Sequence, residues 1–336
     1  MIFSGPIAKA AGIFDLEPTY HDKIPLGALS WAAIGKQATF TGAADSYERL
    51  LFLSESITKE IEQVMESEAI GIQDEPKQYA GLDANRGEIA VLVYPDTIGH
   101  LLRAAFGPPV TTGPDVNGQY MHVFVPMQNK HLDDCDVPPY SIHIHRDLQQ
   151  AFRYTGCVVD KLEFRFGTEQ KVLLATASVM ARESAFAFCL APAISAKQPF
   201  RWHQAAIKLD DIAYEMSSDV NFSIANSLGG EEVLGSDKIV AVHRDGFRVC
   251  EVGLTIAMPS IDHYLWFKNQ AAKGLTIEFV SVLDRLKFEI LVMRVTSFPL
   301  GVTSTGRVTV TVNAKGKYYP DAGMMRVTLV NDKITY

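Results

Sequence analysis

Two sixteen-residue stretches of this chain align without a gap: GEIAVLVYPDTIGHLL at 87–102 and CEVGLTIAMPSIDHYL at 250–265. Glu88 meets Glu251, Ile98 meets Ile261, His100 meets His263 and Leu102 meets Leu265. Apolar positions match between them: Ile89 with Val252, Val91 with Leu254, Val93 with Ile256. A repeat constrains a chain more than any local motif, because each copy must build the same unit.

The surroundings repeat as well. A polar alternating strand precedes each stretch, at 53–64 and 216–227, followed by a glycine-bearing loop of about twenty residues. A short helix follows, expected over 95–107 and 259–274, opening at Pro95 or Pro259 and stopping on Gly107 or Gly274. Strand-like runs come next: YMHVFVPM, YSIHIH, DKLEFRFG and KVLLATASVMA in the first copy. The second copy has LTIEFVSV, LKFEILVMRV, GRVTVTVNAKGKYY and MRVTLVN. Val, Thr, Ile and Phe alternate with polar residues, the mark of sheets with one buried face. The expected fold is mainly β: two tandem β-sandwich or half-barrel domains, each with one short flanking α-helix. Residues 1–50 are read as an N-terminal arm plus the first strand of copy one, 51–195 as the first domain and 196–336 as the second.

With 336 residues, 47% hydrophobic and 21% charged, the chain is globular and long enough for two domains. No apolar run approaches the roughly 20 residues that span a bilayer, and the start lacks the pattern of a secretory signal. Cys135, Cys157, Cys189 and Cys250 lack CxxC spacing and read as free thiols of a protein made in a reducing cytoplasm. A net charge of −8 disfavours a protein that grips DNA by its phosphates.

The chemical motifs do not assemble into an active site. His143, His145 and Asp147 in HIHRDL would share one face of a strand. Zinc needs three or four ligands, and no spacing supports a third from His122, His131 or Cys135. The segment is read as a strand exposing His143, His145 and Asp147 while Ile142 and Ile144 pack inward. GVTSTG at 301–306 is one residue too long for a nucleophile elbow and precedes a strand. No phosphate loop is present, and SLGGEEVLG at 227–235 is acidic. Adjacent carboxylates such as Asp210–Asp211 and Glu231–Glu232 read as solvated loop charges, and His100 and His263 as packing or capping residues. No catalytic, cofactor-binding or metal residue is assigned, and no cofactor.

Three stretches resemble bacteriophage tail tube proteins of the long, internally duplicated kind. They are SESITKEIEQVMESEAIG with ANRGEIAVLVYPDTIGHLLRAAFG, then FRYTGCVVDKLEFRFG at 152–167, then GRVTVTVNAKGKYYPDAGMMRVTLVNDKITY at 306–336. Together they cover roughly residues 50–336; residues 1–50 match less clearly. The resemblance implies a non-enzymatic virion protein, assembled in the host cytoplasm, whose trimers form pseudo-hexameric rings that stack into the channel for genome ejection. The implied partners are further copies of itself, the tape-measure protein in the lumen, and tail terminator and distal tail proteins at the ends. Double-stranded DNA would pass without specific binding.

On this basis the bore lining is expected to be net negative, on Glu55, Glu60, Glu62, Glu66, Arg86 and Glu88, and on Asp219, Arg248 and Glu251. Loops 67–85 and 228–246 are expected to reach the next ring, so that deleting 229–235 blocks tubes but leaves the fold intact. Alternative readings are a distal tail or hub protein of the same fold, the inner tube of a contractile tail, and a metal-dependent β-barrel enzyme using His143 and His145.

Overall fold

The structure is a computed structural model that describes residues 24–65, 73, 78–215, 217–257, 261–299, 309–320 and 322–336. The expected arm over 1–23, the helix start at Pro259, the 301–306 segment and Glu66 lie outside the described residues.

The fold is mainly β, as expected. The first half contributes β1 (Trp31–Lys36), β2 (Glu48–Leu50), β3 (Phe52–Glu55), β4 (Thr58–Met65), β5 (Gln78–Leu92), helix α1 (Ile98–Phe106), β6 (Val110–Thr112), β7 (Tyr120–Phe124), β8 (Tyr140–His145), β9 (Ala151–Gly167), β10 (Leu174–Ala181) and β11 (Glu183–Ala187). The second half contributes β12 (Ala205–Leu209), β13 (Ile212–Ala213), β14 (Ser217–Ala225), β15 (Leu228–Glu231), β16 (Ala241–Arg244), β17 (Val249–Ala257), helix α2 (Asp262–Lys268), β18 (Lys273–Ser281), β19 (Asp284–Ser297), β20 (Thr309–Gly316) and β21 (Arg326–Asn331).

Followed from partner to partner, one layer reads β4–β5–β10–β9–β14–β17–β20–β19, each strand antiparallel to the next. The opposite layer has two parts. One reads β2–β1–β8–β9–β11, using the N-terminal part of β9. The other reads β13–β12–β18–β19–β21–β7–β6, using the N-terminal part of β19. Strands β9 and β19 are 17 and 14 residues long and serve both layers. Register shifts at Ser178/Val179, on the partner of β9, and at Val295/Ser297 mark where the ladders kink, as bulges do.

Alternation explains the layering. In β9, Leu162, Phe164 and Phe166 are buried while Lys161, Glu163 and Arg165 face away from the core. Phe164, Phe222 and Phe288 come from three strands, with ring centroids 4.7–5.3 Å apart. They sit where β9 of the first half pairs with β14 of the second, so one apolar core runs through both halves. A second crossing is β7 with β21, where Val327 faces Phe124. Asn226 fastens a third point, its amide donating to the carbonyls of Ala105 in α1 and Val159 in β9.

Several local expectations are corrected. The strand expected over 53–64 is two strands, broken at Ser56–Ile57 because the Ile57 side chain turns into the core. Helix α1 stops at Gly107 as expected, with φ +113°. Helix α2 ends at Lys268, and Gly274 lies inside β18, because pairing with β12 and β19 outweighs the local stop signal. Residues 78–85 are not loop but part of β5. The 228–246 segment is likewise structured, carrying the hairpin β15–β16.

The edges differ between the halves. The outer edge of β21 is covered by β7 from the β6–β7 hairpin. Strand β11 occupies the matching place after β10, yet among the described residues it pairs only with β9, and Phe186 and Phe188 stand exposed there.

Candidate assembly surface

The eight-stranded layer turns its non-core face outward. Its floor is set by the alternation of β5, β9, β10, β14, β17 and β20. Side chains from these strands form a polar field in which Lys161 Nζ lies 2.7 Å from Glu163 and Lys315 Nζ lies 3.4 Å from Glu251. Ser178 Oγ donates to Glu88 at 3.1 Å, and the hydroxyls of Thr255 and Thr311 are 3.2 Å apart. A shallow trough of about 210 Å³ runs between these strands, lined by Lys161, Glu163, Asn221, Glu251, Asn313 and Lys315. The hydrogen bond to Glu163 holds the Lys161 ammonium above its ordinary pKa, so it stays charged.

This face mixes charges of both signs. On the strands from β5 to β19, Glu88, Glu163, Asp219 and Glu251 are interleaved with Arg86, Lys161, Arg165, Arg294 and Lys315, and β4 adds Glu60 opposite Ala84. Two expected lining residues point elsewhere. Glu55 accepts both arms of Arg146 at 2.7 and 2.8 Å. Arg248 donates to Asn226 and to the Met127 carbonyl, tying the two halves. Sequence reasoning missed Lys161, Arg165 and Lys315 because it followed only the repeated strands and the strands upstream of them. The β9–β14 pairing that brings them onto the same face joins distant segments.

At one end of this layer, β4 and the start of β5 continue as a two-stranded ribbon, pairing Ile61 with Asp83 and Val64 with Tyr79. Every residue of β4 is exposed, and among the described residues β4 pairs only with β5, leaving its other edge free. Glu60 and Glu62 lie on this ribbon, with Glu62 accepting from the Leu82 amide. At the other end, the last part of β19 pairs, among the described residues, only with β20 over Arg294–Ser297.

The histidine strand packs its side chains against neighbouring groups. His143 is 6% exposed, not on an open face as expected, and stacks on Tyr47 at 3.9 Å. Burial, with the nearby charge of Arg153, pushes its pKa down to about 4. His145 stacks on Trp31 at 5.4 Å and accepts from the Asp147 amide. Asp147 lies beyond the strand at φ +56° and accepts from the Leu26 amide. His122 is bonded to Thr111 and the Lys333 carbonyl. The Cys135 thiol donates to the Val137 carbonyl, and burial pushes it up to about 12. Among the described residues, no group of three or more His, Cys, Asp or Glu side chains is placed to hold a metal ion.

The two helix histidines are packed residues. His100 is buried beside Glu48 at 3.1 Å, edge-on to Tyr140 and Tyr336, and His263 lies 3.1 Å from the Tyr214 hydroxyl. Burial lowers the His100 pKa. Burial alone would raise Glu48, but hydrogen bonds and charge from His100 and Lys333 outweigh it and bring Glu48 to about 2.

Among the described residues, no helix is long and apolar enough to cross a membrane. Comparison with curated proteins returns no match. A sequence profile for phage tail tube proteins matches residues 27–284, more than three quarters of the chain. The matched region includes the ribbon, the β9–β14 seam and six of the eight strands of the polar layer, and on its evidence the chain belongs to the phage tail tube protein family.

Proposed function

We propose that this protein is the repeating wall subunit of a phage tail tube, built from an internal duplication, and that three copies close into a ring. The carrying observation is the strand order of the polar layer. Eight antiparallel strands end in β4 on one side and β19 on the other. An even count makes β19 of one copy antiparallel to β4 of the next, so copies can join without breaking the alternation. Joining would also remove two open edges.

Three copies supply about 24 strands; at about 4.8 Å spacing and about 40° tilt the backbone diameter is roughly 48 Å. Side chains leave a bore of roughly 38 Å, enough for duplex DNA about 20 Å wide. The polar face would line that bore. Its mixed charges suit passage: a wall that grips DNA must hold many phosphates with unpaired cations, and two of its bases, Lys161 and Lys315, already face carboxylates. In this role the protein is structural rather than catalytic, with tape-measure protein and then genome in the lumen, and terminator and distal proteins at the ends.

Electron microscopy of the overexpressed protein tests this reading. Long tubes with threefold averages are expected. Single closed rings that never stack would move the protein to the hub.

A further inference from the structure

Within the chain, the hairpin β15–β16 of the second half does not reach outward; it docks on the first half. Leu228, Ile239 and Val242 pack against Phe40, Val158 and Met180 in a small apolar cluster separate from the main core. Backbone and ionic bonds fasten it: the Val242 amide to the Asp134 carbonyl at 2.9 Å, the Asp83 amide to the Asp237 carbonyl at 2.7 Å, and Lys238 to Glu183 at 2.7 Å.

The ribbon of β4 and β5 occupies the same place in the first half. Thr58 pairs with Arg86 as Ala225 pairs with Val249, and Arg86 and Val249 stand at the same offset as the sequence repeat. Three residues on from Thr58 and Ala225, Ile61 falls where Leu228 does; by the same offset Tyr79 falls where Val242 does. Leu228 and Val242 are covered, but Ile61 is 46% and Tyr79 52% exposed.

The receptor has a counterpart too. Ser178 pairs with Lys161 as Lys315 pairs with Arg294. The receptor residue Val158, three before Lys161, then corresponds to Leu291, and Met180, two after Ser178, to Lys317, which is followed by Tyr318. The Lys317 amide bonds the Val292 carbonyl at 2.7 Å, so these residues adjoin, and Leu291 and Tyr318 are 36% and 63% exposed. The chain cannot satisfy itself here. Seven strand spacings, about 34 Å, separate its own ribbon from its own Leu291.

We infer that the seam inside the chain is the template for the seam between chains: the β4–β5 ribbon of one copy docks through Ile61 and Tyr79 on the Leu291–Tyr318 patch of an adjacent copy in the same ring. This rests on the tube reading and names the contact that closes the ring.

The test uses full-length Ile61→Cys/Leu291→Cys protein in a Cys189→Ser background, treated as assembled tubes with a short bismaleimide. A denaturing gel is expected to show two- and three-chain products ending at three, absent from either single-cysteine variant and restored as two-chain products when the two are co-assembled. Tubes that assemble without cross-linking, or a ladder running past three chains, would overturn the inference. A second arm is Ile61→Asp/Tyr79→Asp, both at exposed positions. It should keep the wild-type melting temperature and lose at least tenfold in tube yield; wild-type yield would overturn the docking. If unmutated protein makes no tubes under the same conditions, it is the tube reading that fails.

Discussion

His143 shows what one side chain contributes to this wall. It is buried neutral against Tyr47, with a pKa lowered to about 4 from the ordinary 6.5. A lowered histidine pKa stabilises fully above the unfolded value, and that stability is lost as pH falls toward the folded value. Thermal melts should therefore lose stability between about pH 6.5 and pH 4, and His143→Gln should flatten that limb. Glu48 acts lower: its stabilisation, present above the ordinary 4.5, is lost as pH falls toward about 2, and Glu48→Gln should remove that separate step. The alternation of YSIHIH made a strand legible from sequence. The covering of its histidine face was not, because Tyr47 and Arg153 come from other segments and β8 lies between β1 and β9.

At the scale of elements, the stop of α1 was readable and the stop of α2 was not. Gly107 holds a left-handed φ, and a Cβ there would strike Met127. Gly107→Ala should cost about 1–3 kcal/mol in denaturant unfolding. Gly274 carries the same residue type but sits in a strand whose Gly274 amide is held by Asp210 at 2.7 Å, a long-range bond that no local signal announces. Asn226 is the most consequential small link between elements. Asn226→Ala removes the amide's bonds to two buried carbonyls and one of the two bonds of the Arg248 guanidinium, and should cost roughly 2–4 kcal/mol. The docked hairpin also revises the expectation for deleting 229–235. Removing it uncovers Phe40, Val158 and Met180, so the deletion should lower the melting temperature instead of leaving the fold intact.

For the whole molecule, the shared phenylalanine cluster makes the halves interdependent. Calorimetry should show one unfolding transition, with Phe222→Ala costing about 3–5 kcal/mol. The mainly β fold was legible in the sequence. That β9 joins β14 was not, since pairing between strands fifty residues apart leaves no periodic mark in either. The charge pattern of the polar face followed from that pairing, which is why sequence reasoning named Glu88, Asp219 and Glu251 without the Lys161, Arg165 and Lys315 that lie among them. Assembled tubes should retain little DNA at moderate salt, whereas Glu163→Ser/Glu251→Ser leaves Lys161 and Lys315 unpaired and should raise retention in a salt-sensitive way.

The bare edge of β11 carries a mechanical consequence. Inside each chain, β7 staples the outer layer across the seam, while the second half has only residues 269–272 between α2 and β18 and, among its described residues, supplies no such strand. In a ring of three, stapled and unstapled joints would then alternate. Bending strain along a tail would concentrate at the three compliant joints, so the stiffness of the tube would have threefold symmetry even where its bore looks sixfold.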